Sequence, residues 1–203
     1  MLTAEEQDRV SAAIAAAERQ TSGEIVAVVA LESNTYAYVP LLWAGVIAMV
    51  VPWPLIFLTW LPVQIIYLAQ LAVFLAVVLA TRTRPLRYAL VPKAVKQAQA
   101  HRRAVEQFLA QNLHTTKGRT GVLIFVSAAE RYAEVIADLE IYEKVAKERW
   151  QAIVDQLIEA MRQSRPADGF VHAIESAGKL LAEHFPPGSA DPNELPNHLI
   201  VLQ

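Results

Sequence analysis

Cysteine is absent from the 203 residues. That removes disulfides, thiolate nucleophiles and thiolate metal sites from consideration. Charge is absent from one long stretch: between Glu32 and Arg82 there is no Asp, Glu, Lys or Arg, a gap of 49 residues from Ser33 to Thr81. A soluble domain of ordinary composition does not leave such a gap by chance. Also missing is the basic start and apolar core of a secretory signal. The segment Met1-Leu2-Thr3-Ala4-Glu5-Glu6 is acidic and polar, so the first apolar segment is expected to direct its own insertion. The net charge of -2 favours no class of partner.

A helix needs about 20 apolar residues to cross a bilayer. Tyr36 to Ala80 is a stretch of 45 residues, long enough for two crossings. Prolines 40, 52, 54 and 62 punctuate the stretch, and proline breaks or kinks a helix interior. The expected spans are Leu41 to Phe57 and Leu61 to Ala80, with a break at Pro52-Trp53-Pro54 as the alternative. Tyr36, Tyr38, Trp53 and Trp60 fall near the span ends, where amphipathic rings favour the interface. A buried hairpin in a soluble core would keep a polar stripe, whereas the polar residues here are few, chiefly Thr59, Gln64 and Gln70. Gln64 and Gln70 are expected to bond to the first span or to a partner.

Orientation follows from basic residues. Arg82, Arg84, Arg87, Lys93, Lys96, Arg102 and Arg103 follow the second span, with no acid before Glu106. The turn between the spans is uncharged, so both chain ends are expected in the cytoplasm. Arg82, Arg84, Arg87 and Lys93 are the candidate contacts to anionic lipid head groups. A basic cluster against a membrane, in a slightly acidic chain, does not point to nucleic acid.

The flanking segments read as one α/β domain. Thr3-Ala4-Glu5-Glu6 has capping-box spacing, and Val10, Ile14, Ala17 and Thr21 line one face of a helix from about Ala4 to Gln20. Glu24 to Leu31 reads as a buried strand. After the hairpin come a helix over about Val91 to Leu113, with Val95, Ala98, Val105, Phe108 and Leu109 as its apolar stripe, then a central strand, Gly121 to Ser127, and a strand over Tyr132 to Asp138. A link as short as Ala128 to Arg131 predicts antiparallel pairing. Helices over Glu143 to Gln163 and Phe170 to His184 follow, the second capped by Asp168 and ended by Pro186-Pro187-Gly188. A turn-like tail over Asp191 to Pro196 leads to a short fourth strand, His198 to Leu202. A lone strand before the hairpin is not stable by itself, so it must pair with strands after it. The predicted fold is α/β: a small mixed β-sheet sandwiched by helices and interrupted by a two-span transmembrane helical hairpin. The predicted divisions are 1–33, 34–84 for the hairpin, 85–188, and a tail over 189–203.

The ordered segments TSGEIVAVVA, RTGVLIFVSAAERYAEVIAD, the helix around Trp150, ADGFVHAIESAGKLLAEHFPP and NELPNHLIVL resemble the TPM domain family, named for its thylakoid, photosystem and acetylcholine-receptor-modulating members. The closing segment resembles a bacterial membrane-anchored subgroup. The resemblance implies an α/β sandwich in the bacterial inner membrane. It implies one of two activities: weak acid phosphatase, or help in the assembly, repair or modulation of other membrane proteins. It also implies a divalent cation such as calcium, bound by acidic residues at one end of the sheet. The matching positions here are Asp138 and Glu140, without the glycine-rich loop that many members carry there.

No known phosphatase constellation is legible. Asp138-Leu139-Glu140 lacks the second Asp of an aspartyl-phosphate motif. Lys117-Gly118-Arg119-Thr120-Gly121 has the wrong spacing for a phosphate loop and reads as a turn. His101, His114, His172, His184 and His198 show no metal-ligand spacing. Ser127 and Glu130 flank a turn that the serine is expected to cap through backbone N–H groups. Trp150 reads as core. The expected role is a membrane-anchored module, without catalytic residues, that assists another membrane protein. The alternative is a weak divalent-cation-dependent phosphatase at the membrane surface. The partner's identity and the oligomeric state are open.

Overall fold

The computed structural model describes residues 2–187 and 194–202, and the backbone but not the side chains of Arg84 and Pro85. The predicted helix stop at Gly188 and the beginning of the tail at Asp191 lie outside the described residues. The chain divides into two compact units, residues 1–33 with 97–203, and residues 34–96.

In the first unit, α1 spans Ala4–Glu18 and starts with the capping box: the Thr3 hydroxyl accepts from the Glu6 N–H and the Glu6 carboxylate accepts from the Thr3 N–H. Strands β1 (Glu24–Ala30), β2 (Gly121–Ser127), β3 (Tyr132–Ala137) and β4 (Leu199–Leu202) form one sheet in the order β3-β2-β1-β4. β2 and β3 are antiparallel, as their short link dictates. β1 runs parallel to β2 and to β4, so the strand made before the apolar stretch pairs with strands made after it. The two central strands are apolar on both faces. Ile25, Ala27, Val122, Ile124 and Val126 pack on one side with Val10, Ile14, Trp150, Leu157, Phe170, Ile174 and Leu181. Val26, Val28, Ala30, Leu123 and Phe125 pack on the other with Ala104, Phe108 and Leu113. This is the period of two along a strand.

The first face is covered by α1, α8 (Lys147–Arg162) and α9 (Pro166–His184). The second is covered by α6 (Lys93–Ala110) and the turn at Leu113. The helix predicted over Val91 to Leu113 is thereby shortened. Val91 precedes Pro92 and is held extended at φ -81 and ψ 124, as proline demands of the residue before it. The predicted apolar stripe of α6 is also rotated. Ala100, Ala104, Gln107 and Phe108 are buried, whereas Val105 and Leu109 face outward. Small alanines let the helix close on the sheet, and bulk was the wrong guide. The helix predicted over Glu143 to Gln163 is α8, which begins later; the extended Val145 separates it from a short helix not predicted, α7 (Leu139–Lys144). Asp168 is not a cap. Pro166 takes the first helical turn, Arg165 the cap position, and Asp168 pairs with Arg9 at 2.9 Å.

The second unit holds α2 (Tyr38–Val50), α3 (Pro52–Leu58), α4 (Val63–Ala80) and α5 (Arg84–Leu90). Val51 is helical and its N–H reaches the Ile47 carbonyl, so α2 continues into α3. Pro52, at the junction, has no N–H to return to the preceding turn. The chain turns through Thr59 to Pro62, and α2 packs along α4. Two stretches, Tyr38–Leu58 and Val63–Ala80, are long and apolar enough to cross a membrane by length and composition, yet only 11% and 6% of them are buried. Pro40, Ala44 and Ala48 form the buried face of α2. Gln64 is exposed and Gln70 half-buried; neither amide bonds to the first span among the described residues, contrary to one of the two expectations for them.

Candidate functional site

Asp138 and Glu140 sit at a strand-to-helix corner. Register places Val122 opposite Ala137, and the Asp138 N–H donates to the Gly121 carbonyl at 2.9 Å. Gly121 is needed there, since a Cβ would lie 2.5 Å from the Leu113 carbonyl oxygen. The Asp138 carboxylate caps α7, Oδ1 accepting from the Leu139 N–H at 2.7 Å, while Oδ2 is buried and makes no hydrogen bond among the described residues. Glu140 is exposed in the first turn of α7. Residues two apart do not face one another on a helix, so the pair does not converge. Among the described residues no group of three or more His, Asp or Glu is placed to hold a metal ion.

The same end of the sheet carries acids that the sequence reading passed over. Glu24 lies opposite Gly121 and is buried. Its Oε1 accepts from the Glu194 N–H at 3.0 Å, and Glu194 in turn accepts from the Lys117 N–H at 3.3 Å. Glu18 accepts from the Ile25 N–H at 2.9 Å. Burial, and then the neighbouring charge of Glu24, push the Glu18 carboxyl up to about 7, against the lowering effect of the Ile25 and Asn197 hydrogen bonds. A glutamate opening an otherwise apolar strand was the available signal.

At the other end of β2, Ser127 and Glu130 are both buried. Ser127 does not cap the turn through backbone N–H groups. Its hydroxyl donates to the Glu130 carboxylate, and the Ser33 hydroxyl lies 2.8 Å from it. Glu130 also accepts from the Ser33 N–H, at 3.1 and 3.2 Å. The cluster ties the β2–β3 turn to the chain leaving β1, and a fully buried serine is not offered to a substrate. On the α6 side, His101 Nδ1 lies 2.9 Å from Glu134, which also accepts from the Tyr132 hydroxyl at 3.0 Å. Burial and the Glu134 charge push the Tyr132 hydroxyl up from its ordinary value. Trp150 is core, as expected, and its indole N–H has no acceptor among the described residues.

The basic residues divide. Arg82 and Lys93 are exposed. Arg87 instead donates to the Thr35 carbonyl at 2.9 Å and the Arg82 carbonyl at 3.2 Å, joining the segments that flank the apolar helices within the second unit. Lys96 donates to the Tyr88 carbonyl at 3.1 Å. The Arg84 side chain lies outside what is described.

A four-stranded mixed sheet between a three-helix layer and a single helix defines an α/β sandwich. The TPM domain model matches residues 73–180, just over half of the chain. The chain belongs to the TPM domain family. The NMR structure of the BA42 protein from the psychrophilic bacterium Bizionia argentinensis is similar over 99% of this chain and 95% of its own length, with a TM-score of 0.63 and 22% identity. That likeness shows the fold. A search of curated proteins finds no match.

Proposed function

We propose that this chain is a membrane-anchored TPM module of the bacterial inner membrane, with both ends cytoplasmic, that assists the assembly, stability or regulation of another membrane protein. The observation that carries this reading is the outward exposure of the two apolar helices. Leu41, Leu42, Met49, Val50, Val63, Leu68, Leu75 and Leu79 are all exposed, an apolar surface far larger than a soluble monomer leaves to water. At 1.5 Å per residue the two stretches reach about 31 and about 27 Å, close to a hydrocarbon core. The exposed Arg82 and Lys93 then lie on the side richer in basic charge, available to lipid head groups.

An alkaline carbonate wash tests the anchor: the chain should remain with the membrane, and release into the supernatant would sink the proposal. Orientation is read with single cysteines at Ser11, Thr59 and Glu148 in this cysteine-free chain. An impermeant reagent on spheroplasts should reach only Thr59. Gentle purification from native membranes should bring the assisted protein with it.

A divalent-cation-dependent phosphatase is the second reading, favoured by the unpartnered, buried Asp138 Oδ2, an oxygen donor of the kind calcium takes. Hydrolysis of a chromogenic phosphate ester that rises with calcium and is lost in Asp138→Ala would support it. Equal rates in both proteins would remove it.

A further inference from the structure

Strand β3 is an edge of the sheet, and its backbone points alternately inward and outward. The Asp138 N–H donates to the Gly121 carbonyl. In the same register Ile136, Glu134 and Tyr132 exchange hydrogen bonds with β2, so the N–H and C=O groups of Ala133, Val135 and Ala137 point away from it. Among the described residues none of those outward groups meets a protein partner. Edges are commonly blunted by shortness, lysine, proline or a bulge. The other edge strand, β4, is short, at four residues. β3 is Tyr-Ala-Glu-Val-Ile-Ala in unbroken register, with none of these devices. Its one charge, Glu134, is engaged by His101 and by the Tyr132 hydroxyl. The helix packed on it, α8, covers the face that carries Ala133 and Val135.

We propose that β3 pairs antiparallel with β3 of a second copy of this chain, about a two-fold axis through Val135, so that one sheet continues across two molecules. In this register Val135 faces Val135, Ala133 faces Ala137 and Glu134 faces Ile136 of the second copy. It engages Ala133, Val135 and Ala137 on both strands. Moving the axis to Glu134 or to Ile136 leaves Ala137 or Ala133 unused, and sets Glu134 directly against Glu134 or Asp138 of the second copy. Like charges so opposed are destabilising, whereas β-branched pairs are favourable. Charge also matches end to end. β3 follows Arg131, which is exposed and has no ion pair among the described residues. It ends in a corner that carries Asp138, Glu140 and Glu143 against Lys144, and Lys144 sits over the Phe185 ring. The two-fold brings each Arg131 to the other copy's acidic corner, while a parallel pairing would set like ends together. Glu130, beside Arg131, is already held by Ser33 and Ser127, and α8 is balanced at three charges of each sign. All of these residues belong to the first unit, so the pairing does not depend on the anchored reading. A strand edge is a small interface whose main-chain hydrogen bonds supply the affinity, so the dimer should be weak and concentration-dependent.

The test uses the full, cysteine-free chain in mild detergent. Val135→Cys is oxidised beside two exposed controls, Leu109→Cys for random collision and Val201→Cys for the β4 edge. Facing Cα atoms in such a pair lie about 5.5 Å apart, within disulfide reach. Expected is a disulfide-linked dimer from Val135→Cys several-fold above both controls. Its yield should fall several-fold when Arg131→Glu or Glu140→Arg is added, and return when both are. Those two positions lie about 20 Å apart along one chain, so rescue reports a contact between chains. In the unsubstituted chain the Ala133, Val135 and Ala137 amides should exchange more slowly as protein concentration rises, a readout that needs no variant to fold. A yield at position 135 no higher than at 109, with exchange independent of concentration, overturns the proposal. So does preferential linkage at 201, which assigns the contact to the other edge. Protection of the three amides in native membranes that is absent from the concentrated purified chain overturns it too, since the occupant is then a strand of another protein.

Discussion

Gly178 of α9 and Ala17 of α1 meet so closely that a Cβ on Gly178 would lie 2.7 Å from the Ala17 Cβ and 3.3 Å from its Cα. The neighbour is backbone and a methyl group, neither of which can rotate away. Overpacking costs about 1–3 kcal/mol, and replacing a helical glycine by alanine returns up to about 1 kcal/mol. Gly178→Ala should therefore lower stability by about 1–2 kcal/mol in denaturation of the detergent-solubilised chain. Ala17→Gly in the same chain should restore most of the clash term. Ala17→Gly alone costs up to about 1 kcal/mol of helix propensity, and a double variant whose loss is the plain sum of the two single losses would mean that the two helices do not touch there.

Glu130 is the shared acceptor for the buried Ser127 hydroxyl and the Ser33 N–H. Glu130→Ala leaves both without it, a loss of about 1–3 kcal/mol. Glu130→Gln keeps an acceptor and should cost less. Hydrogen exchange at the Ser33 amide should accelerate in the alanine variant, and an unchanged rate would contradict the assigned bond.

Glu18 sets a pH dependence. Its carboxyl rises from 4.5 to about 7 on folding, so between those values the folded chain keeps a proton that the unfolded chain has released. Stability is then greatest below about pH 4.5 as far as this group is concerned, and falls as pH rises through about 7. Glu18→Gln removes that slope. It should stabilise the protein at pH 8 by about 1–2 kcal/mol, allowing for the screening of a partly exposed group, and change little at pH 4. A wild-type melting profile that is flat across this window, with Glu18→Gln running parallel to it, would refute the shift.

The second unit, residues 34–96, is inserted between β1 and the part of α6 that belongs to the first unit. Replacing residues 34–92 with a short Gly/Ser linker keeps all four strands. Loop closure varies by only about 0.6 kcal/mol per doubling of length. The product should be soluble and unfold cooperatively, with β1 amides as protected as those of β2. Aggregation, or free exchange in β1, would mean that the sheet needs the apolar helices to form.

Strand β2 was legible to the residue because an unbroken apolar run between Thr120 and Ala128 admits one register for a buried strand. The apolar helices were legible because an ordinary soluble domain does not leave 49 residues without a charge. What could not be read was decided by tertiary partners. The face of α6 depends on which of its residues are small enough to approach the sheet. Whether Asp168 caps a helix depends on Pro166, which starts that helix earlier, and on Arg9, some 160 residues away. The Glu18–Glu24 pair and the Ser33–Ser127–Glu130 cluster join residues from separate segments, and no local spacing announces either. Asp138 was located at the end of β3, but its role as the cap of α7 followed from a helix of six residues, too short to show a period.

The central place of β1 has a consequence for synthesis. Its hydrogen-bonding edges are answered by β2 and β4, and residues 31–120 separate it from the first of these. While the ribosome makes those residues, a seven-residue apolar strand waits with both edges open, the condition under which strands pair with the wrong chain. The intervening apolar helices must be dealt with during that wait. On the proposed membrane-anchored reading, delivery to the membrane and protection of the nascent strand are one task, and any factor that delays the first prolongs the hazard of the second.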